Sequence, residues 1–367
     1  MFNFAGILFC AALALFLAGC ASTPDSGEAL PPGWSTNGAA APPVRPVPPA
    51  VTKTNLPPLL LHTNPPPPLV VKPAPILTWT SLDRWAAENK IGSVRRLSGG
   101  PTTRYFIDAK NGLLVLEIGS REAVWHGMQF HLGFAPEIID NQVFIHGLDL
   151  QKNLVPLLLG EPLAFGTNRV IVIDPGHGGI NGGTISVVDQ RPEKEFTLDW
   201  ARRLKPLLEQ EGWQVFLTRT NDADIALSNR VTVAENHHAD LFISLHFNSL
   251  APDQKPVGLE TFCLTPAGMP STLTRGYPDI LSQSFPNNNF DVPNLMLAAQ
   301  LHRGLLHATG LEDRGVSRAR FIGVLRGQHR PSVLIEAGFL SNPAEARRIE
   351  NPDFRQKLAV AVAAALK

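Results

Sequence analysis

The sequence is short of charge. Asp, Glu, Lys and Arg make up 17% of its 367 residues, and 32 basic side chains cancel 32 acidic ones. Without a basic excess there is no electrostatic footprint for a polyanion, which argues against nucleic acid as a partner. Cysteine is scarce too. Cys10, Cys20 and Cys263 are the only three. No disulfide framework is possible if Cys10 is cleaved off and Cys20 is modified. Cys263 stands in the strand-like run 259–264 with no charge pattern to lower its pKa, so it reads as a small buried hydrophobe rather than a nucleophile. The N-terminal apolar run, Phe4 to Leu17, is too short to span a membrane and has the length of a signal peptide's hydrophobic region.

Proline is what the chain has in quantity, 33 residues unevenly placed. After the apolar run comes Leu17-Ala18-Gly19-Cys20, which resembles the lipobox of bacterial lipoproteins, although no Lys or Arg precedes the run. The resemblance implies a signal peptide over 1–20 and lipidation of Cys20. With Ala21 next, it further implies the periplasmic face of the outer membrane if the host is Gram-negative. Residues 21–76 are rich in Pro, Ala, Thr and Asn, with four prolines in a row at Pro65–Pro68. Such a stretch cannot bury enough apolar surface to fold, and it predicts an extended tether advancing about 3 Å per residue.

Over 77–166 the texture changes. Leu82, Trp85 and Ala86 suggest a short helix, and Lys110-Asn111-Gly112 between two apolar runs predicts a hairpin. Further short strands are expected around 123–125, 128–132 and 143–145. This reads as a small α+β domain. Gly119 to Ala123, Ala135-Pro136 and Asn141 to His146 resemble the copper amine oxidase N-terminal-like module. Its role is usually non-catalytic. His126, His131 and His146 could be grouped as a metal set, but scattered strand histidines are more often exposed or hydrogen-bonded.

From 167 to 367 strand and helix patterns alternate, predicting an α/β domain whose parallel or mixed sheet is flanked by helices. Phe196 to Glu211 reads as a helix that Pro206 should bend or interrupt with a local irregularity. Asn342-Pro343 and Asn351-Pro352 each read as a helix cap followed by the first helical residue. Three apolar strands run into chemistry. Ile171-Val172-Ile173 leads to His177, Leu241 to Leu245 runs into His246, and Val333-Leu334-Ile335 runs into Glu336. Ligands of open α/β sheets bind at the carboxyl ends of the strands. Two histidines with carboxylates there suggest a hydrolytic zinc site.

The same stretches carry a specific resemblance. Ile173 to Gly179, Glu193-Lys194-Glu195, Leu217-Thr218-Arg219, Asp240 to Asn248, Asp313 to Val316 and Val333 to Pro343 occur in the order and spacing of the zinc-dependent N-acetylmuramoyl-L-alanine amidases of type 3. The resemblance implies one Zn²⁺ held by His177, Glu193 and His246, with Glu336 as catalytic acid and base. Glu195 competes with Glu193, and the family pattern favours Glu193. A structural carboxylate paired with Arg326 or Arg330 is the plainer reading of Glu336. Asp174 is expected either as a turn residue or among the groups that orient a ligand histidine, and Asn248 and Arg219 are expected polar contacts to substrate. The implied partners are peptidoglycan and, through Cys20, a membrane. Some family members are silenced by a helix that places a glutamate on the zinc. Residues 266–294 contain no Glu, so no such helix and no obligate activating protein are expected. A non-catalytic, tethered peptidoglycan-binding protein on an amidase scaffold is the alternative.

Overall fold

The computed structural model describes residues 78–97, 102–167, 169–274, 276 and 279–367. The expected signal, Cys20 and the tether lie outside them. The first part of the described chain runs β1 (Trp79–Ser81), α1 (Leu82–Glu88), β2 (Val94–Leu97), β3 (Arg104–Ala109), β4 (Gly112–Glu117), β5 (Glu122–Trp125), β6 (Met128–His131), β7 (Glu137–Ile139) and β8 (Gln142–His146). It ends in two short helices, α2 (Gly147–Asp149) and α3 (Val155–Leu159). Then come β9 (Arg169–Pro175), α4 (Glu193–Gln210), β10 (Trp213–Leu217), α5 (Leu227–Asn236), β11 (Leu241–Asn248) and β12 (Leu259–Cys263). The last elements are α6 (Asp291–Thr309), β13 (Asp313–Arg318), α7 (Gly323–Arg326), β14 (Ser332–Phe339), α8 (Pro343–Glu350) and α9 (Pro352–Ala365).

Eleven strands form one sheet in the order β10-β9-β11-β14-β12-β13-β6-β5-β4-β3-β2. Four parallel strands, β10, β9, β11 and β14, make one half, and β12 joins β14 antiparallel. The sheet is mixed, as expected. Its central strands are apolar without a break because both faces are covered. Ile171 and Ile173 point into the core shared with α4, α6 and α9, while Val172, Phe242 and Leu334 face a smaller core shared with α5 and α7. Helix α4 buries Phe196, Trp200, Leu204 and Leu208, a four-residue period that brings one stripe to the sheet. Pro206 does not interrupt it. Pro206 and Arg202, whose carbonyl loses its partner, are both exposed. The Asn342 and Asn351 side chains cap α8 and α9, with proline at the first turn of each.

Of the segment expected as a small domain, β2 to β6 belong to the same sheet, while β1, β8 and β7 form a separate three-stranded antiparallel sheet. The hairpin β3–β4 and the meander to β6 are antiparallel, and β6 lies parallel to β13 with Phe130 level with Val316. Phe130, Ile107 and Leu114 belong to the core that also holds Ile171 and Ile335. Residues 266–285 carry no helix among those described, and a 3₁₀ turn follows at Pro286–Phe290. Arg320 pins this loop by donating to the Pro266 and Met269 carbonyls and pairing with Asp279 at 2.6 Å. Arg121 reaches it from the β5 side, donating to the Pro270 and Ser271 carbonyls. Cys263 is buried, and burial pushes its thiol pKa up, as befits a core residue.

A candidate metal centre at the strand ends

His177, Glu193 and His246 come together from three elements. His177 lies just past β9 with a left-handed φ of 61°. His246 is the sixth residue of β11, and Glu193 opens α4. One ligand-type atom from each lies within 4.8 Å of the others, the one such group among the described residues. Glu193 is the hub. Its Oε1 accepts from the Phe247 backbone N–H at 3.0 Å and stands 3.0 Å from His246 Nδ1. Its Oε2 accepts from the Thr184 N–H at 3.1 Å and stands 3.1 Å from His177 Nε2. Burial would push the Glu193 pKa up, but the two imidazoles outweigh it and hold the carboxyl well below its usual range. For His177, burial is outweighed by Glu193 and the pKa rises. Burial wins at His246 and lowers it.

Two glycines make room for this packing. A Cβ on Gly176 would meet the His246 ring at 2.3 Å, and one on Gly183, whose φ is +73°, would meet Glu193 Oε2 at 2.6 Å. Asn181 Oδ1 lies 2.9 Å from His177 Nδ1. An amide oxygen only accepts, so His177 carries its proton on Nδ1 and presents Nε2 toward Glu193. Two neutral imidazoles and one carboxylate, nearly dry and preorganised, fit a divalent ion of the zinc type. Three protein ligands leave a fourth position for substrate or water.

Glu336 sits on β14 level with His246 on β11. It is 6% exposed. Arg330, offered as its structural partner, pairs with Glu235, and Arg326 donates to the Arg320 carbonyl. Glu195 points away from the group into an ion pair with Arg191 at 2.9 Å. A cleft of about 650 Å³ opens beside His177 and His246, walled by Leu227, Ile322 and Val324.

One expectation needs correcting. Arg219 is not placed to touch substrate. It is 3% exposed and donates to the main-chain carbonyls of Pro175, Gly176 and Lys194 at 2.8–3.0 Å, which ties the His177 loop to α4. Burial lowers its pKa to about 10. Of the two readings of Asp174, the turn residue fits its hydrogen bonds. It binds Arg230 at 2.7 Å, Thr218 at 2.5 Å and Ser244 at 2.7 Å, and Asn181 takes the orienting role. For the strand histidines, the hydrogen-bonded reading fits His131 and His146. His131 contacts the Val316 carbonyl, and His146 caps α2. Asn248, at the end of β11, is nearly buried and accepts from the Ser249 N–H at 2.7 Å. Arg230 escaped the sequence reading altogether. Besides Asp174 it holds the His177 carbonyl at 2.8 Å. Its signal was an arginine on the buried face of α5, one turn before Ala234.

A mixed α/β sheet thus carries at its carboxyl edge a His–Glu–His group that could hold a metal ion, with a further glutamate on the next strand. The profile of the N-acetylmuramoyl-L-alanine amidases matches residues 171–367, and the chain belongs to that family. It is 34% identical over 243 residues to the amidase AmiC of Escherichia coli O6:H1, covering 60% of this chain and 58% of that one. Over 219 residues it is 31% identical to AmiA of Escherichia coli K12, covering 54% of this chain and 75% of that one. The solved catalytic domain of CwlV from Bacillus (Paenibacillus) polymyxa aligns with a TM-score of 0.45 at 31% identity, over 54% of this chain and 96% of that one. The chain thus spans little more than half the length of the first of these relatives.

Proposed function

We propose that this protein hydrolyses the amide between the lactyl group of N-acetylmuramic acid and the L-alanine of the peptidoglycan stem peptide, with one zinc ion at His177, Glu193 and His246. The observation that carries the reading is the convergence of those three side chains beside Glu336 at one sheet edge, in a chain of amidase family membership. A divalent ion held there supplies positive charge that polarises the amide carbonyl and lowers the pKa of a nearby water. The protein's own residues do the rest. Glu336 accepts a proton from the attacking water and delivers it to the nitrogen as the C–N bond breaks, giving a lactyl carboxylate and a free L-Ala amine. Asn181 holds His177 in its tautomer, and Arg219 and Arg230 hold the loop that carries it.

The rest of the proposal concerns placement. Residues 167–367 carry the chemistry, and β2 to β6 before them extend its sheet. Lipid-modified Cys20 and the 21–76 tether would hold the enzyme in the cell envelope within reach of the wall. With Arg320 and Arg121 pinning the 266–285 loop, no activating protein is required. The test is to incubate the full chain with isolated peptidoglycan, with and without a zinc chelator, and to identify released fragments by mass spectrometry. Stem peptides with free L-Ala amino ends, lost with chelator, are expected. Wall binding without release would favour the non-catalytic alternative. Release that needs a second protein would refute the unassisted activity.

A further inference from the structure

One buried carboxylate close to the site has no part in the reaction above. Glu260, on β12, lies directly opposite Glu336 in the antiparallel β12–β14 pair, and Glu336 lies level with His246 in the parallel β11–β14 pair. Side chains in register on neighbouring strands share a face. His246, Glu336 and Glu260 therefore form a row across three strands. Glu260 is 8% exposed. Ser317 Oγ donates to its Oε1 at 2.7 Å, and Arg314 Nε stands 3.7 Å from its Oε2. The row continues through Ser317 to His131 on β6, 3.3 Å away. Burial outweighs Ser317 and Arg314 and pushes the Glu260 pKa up. A carboxylate so little supported gains from an arriving N–H donor.

The scissile amide has a direction. Its carbonyl oxygen belongs at the His177–Glu193–His246 end, and its nitrogen belongs beside Glu336, which must protonate it. Along the row, that order sends the peptide away from the metal group and over Glu260. The cleft beside His177 and His246, walled by Leu227, Ile322 and Val324, is left for the sugar and lactyl arm.

We propose that Glu260 is a specificity-determining residue that binds the peptide arm of the substrate, accepting an N–H from the stem beyond its first residue. The proposal rests on the amidase reading. Its test is Glu260→Gln in the full chain, assayed on N-acetylmuramoyl-L-alanine and on N-acetylmuramoyl pentapeptide. The pentapeptide KM should rise about tenfold more than that of the one-residue substrate, with kcat little changed. In a Glu336→Gln background, calorimetry should show the same loss of pentapeptide affinity. Ser317→Ala, which removes the anchor of Oε1, should give a smaller loss of the same kind. An unchanged pentapeptide KM, or equal losses of affinity for both substrates, overturns the proposal, the second because a merely structural role would produce it. Failure of the amidase reading looks different, since the unsubstituted protein would then release no peptide from the pentapeptide substrate.

Discussion

Asn181 settles which nitrogen His177 offers, and it does so from outside the ligand set. Asn181→Ala frees the ring to rotate and to exchange tautomers. We expect zinc affinity, measured by competition with a chromophoric chelator, to fall about 10–100-fold while the fold persists. Unchanged affinity would remove Asn181 from the account. Asp174 plays a different part, with no solvent exposure and Arg230 at 2.7 Å. Burial would raise its pKa, but Arg230, Thr218 and Ser244 outweigh burial and hold it below the usual carboxylate range. A depressed folded pKa means that the stability it contributes is present above the unfolded value, about 3.9, and is lost as pH falls through the lower folded value. Denaturant titrations between pH 5 and pH 2 should show that loss, and Asp174→Asn should remove it. The variant also leaves Arg230 buried without its charge partner, which should cost about 3–5 kcal/mol at neutral pH.

His177, His246 and Glu336 were legible in the sequence because each follows an apolar run, and such runs deliver side chains to one edge. Glu193 was legible only through the family pattern, as Glu195 has the same chemistry two residues away. Arg219 misled because an arginine after a strand near a site reads as a substrate contact. Its true partners are carbonyls of a loop whose path no local pattern reveals.

Among elements, the β6–β13 junction matters most. It makes β2 to β6 an extension of the sheet that carries the site, so both parts should unfold together. Phe130, 1% exposed at that junction, tests this. Phe130→Ala should destabilise by about 3–5 kcal/mol and move one cooperative transition, followed by circular dichroism in denaturant. Two separate transitions, only one of them shifted, would contradict a shared core. Periodicity and caps reveal α4, α8 and α9, and the Lys110-Asn111-Gly112 turn reveals the β3–β4 hairpin. Strand β13 was hidden because Asp313-Arg314-Gly315 is polar. It is a strand because β12 and β6 flank it and because Asp313 accepts from His302 at 2.9 Å and from the Gln129 N–H at 2.7 Å. Pairing between strands more than 180 residues apart leaves no local trace.

For the whole molecule, the proposal joins an anchor, a tether and a catalytic sheet. If Cys20 carries lipid, Cys20→Ser should move the protein from the membrane fraction to the soluble fraction, or into uncleaved precursor, while peptidoglycan hydrolysis by the purified protein stays unchanged. A membrane-bound Cys20→Ser variant with a cleaved signal would contradict the anchor. The central claim is narrower: three side chains hold a metal, and a fourth, Glu336, moves the proton. The most direct measurement is bound zinc and muropeptide hydrolysis taken together on the same Glu336→Gln preparation. The account predicts one zinc per chain, as in the unsubstituted protein, with kcat lower by about 10²–10⁴-fold. Full activity with zinc retained would contradict Glu336 as the acid and base, and loss of the zinc would make Glu336 a ligand instead.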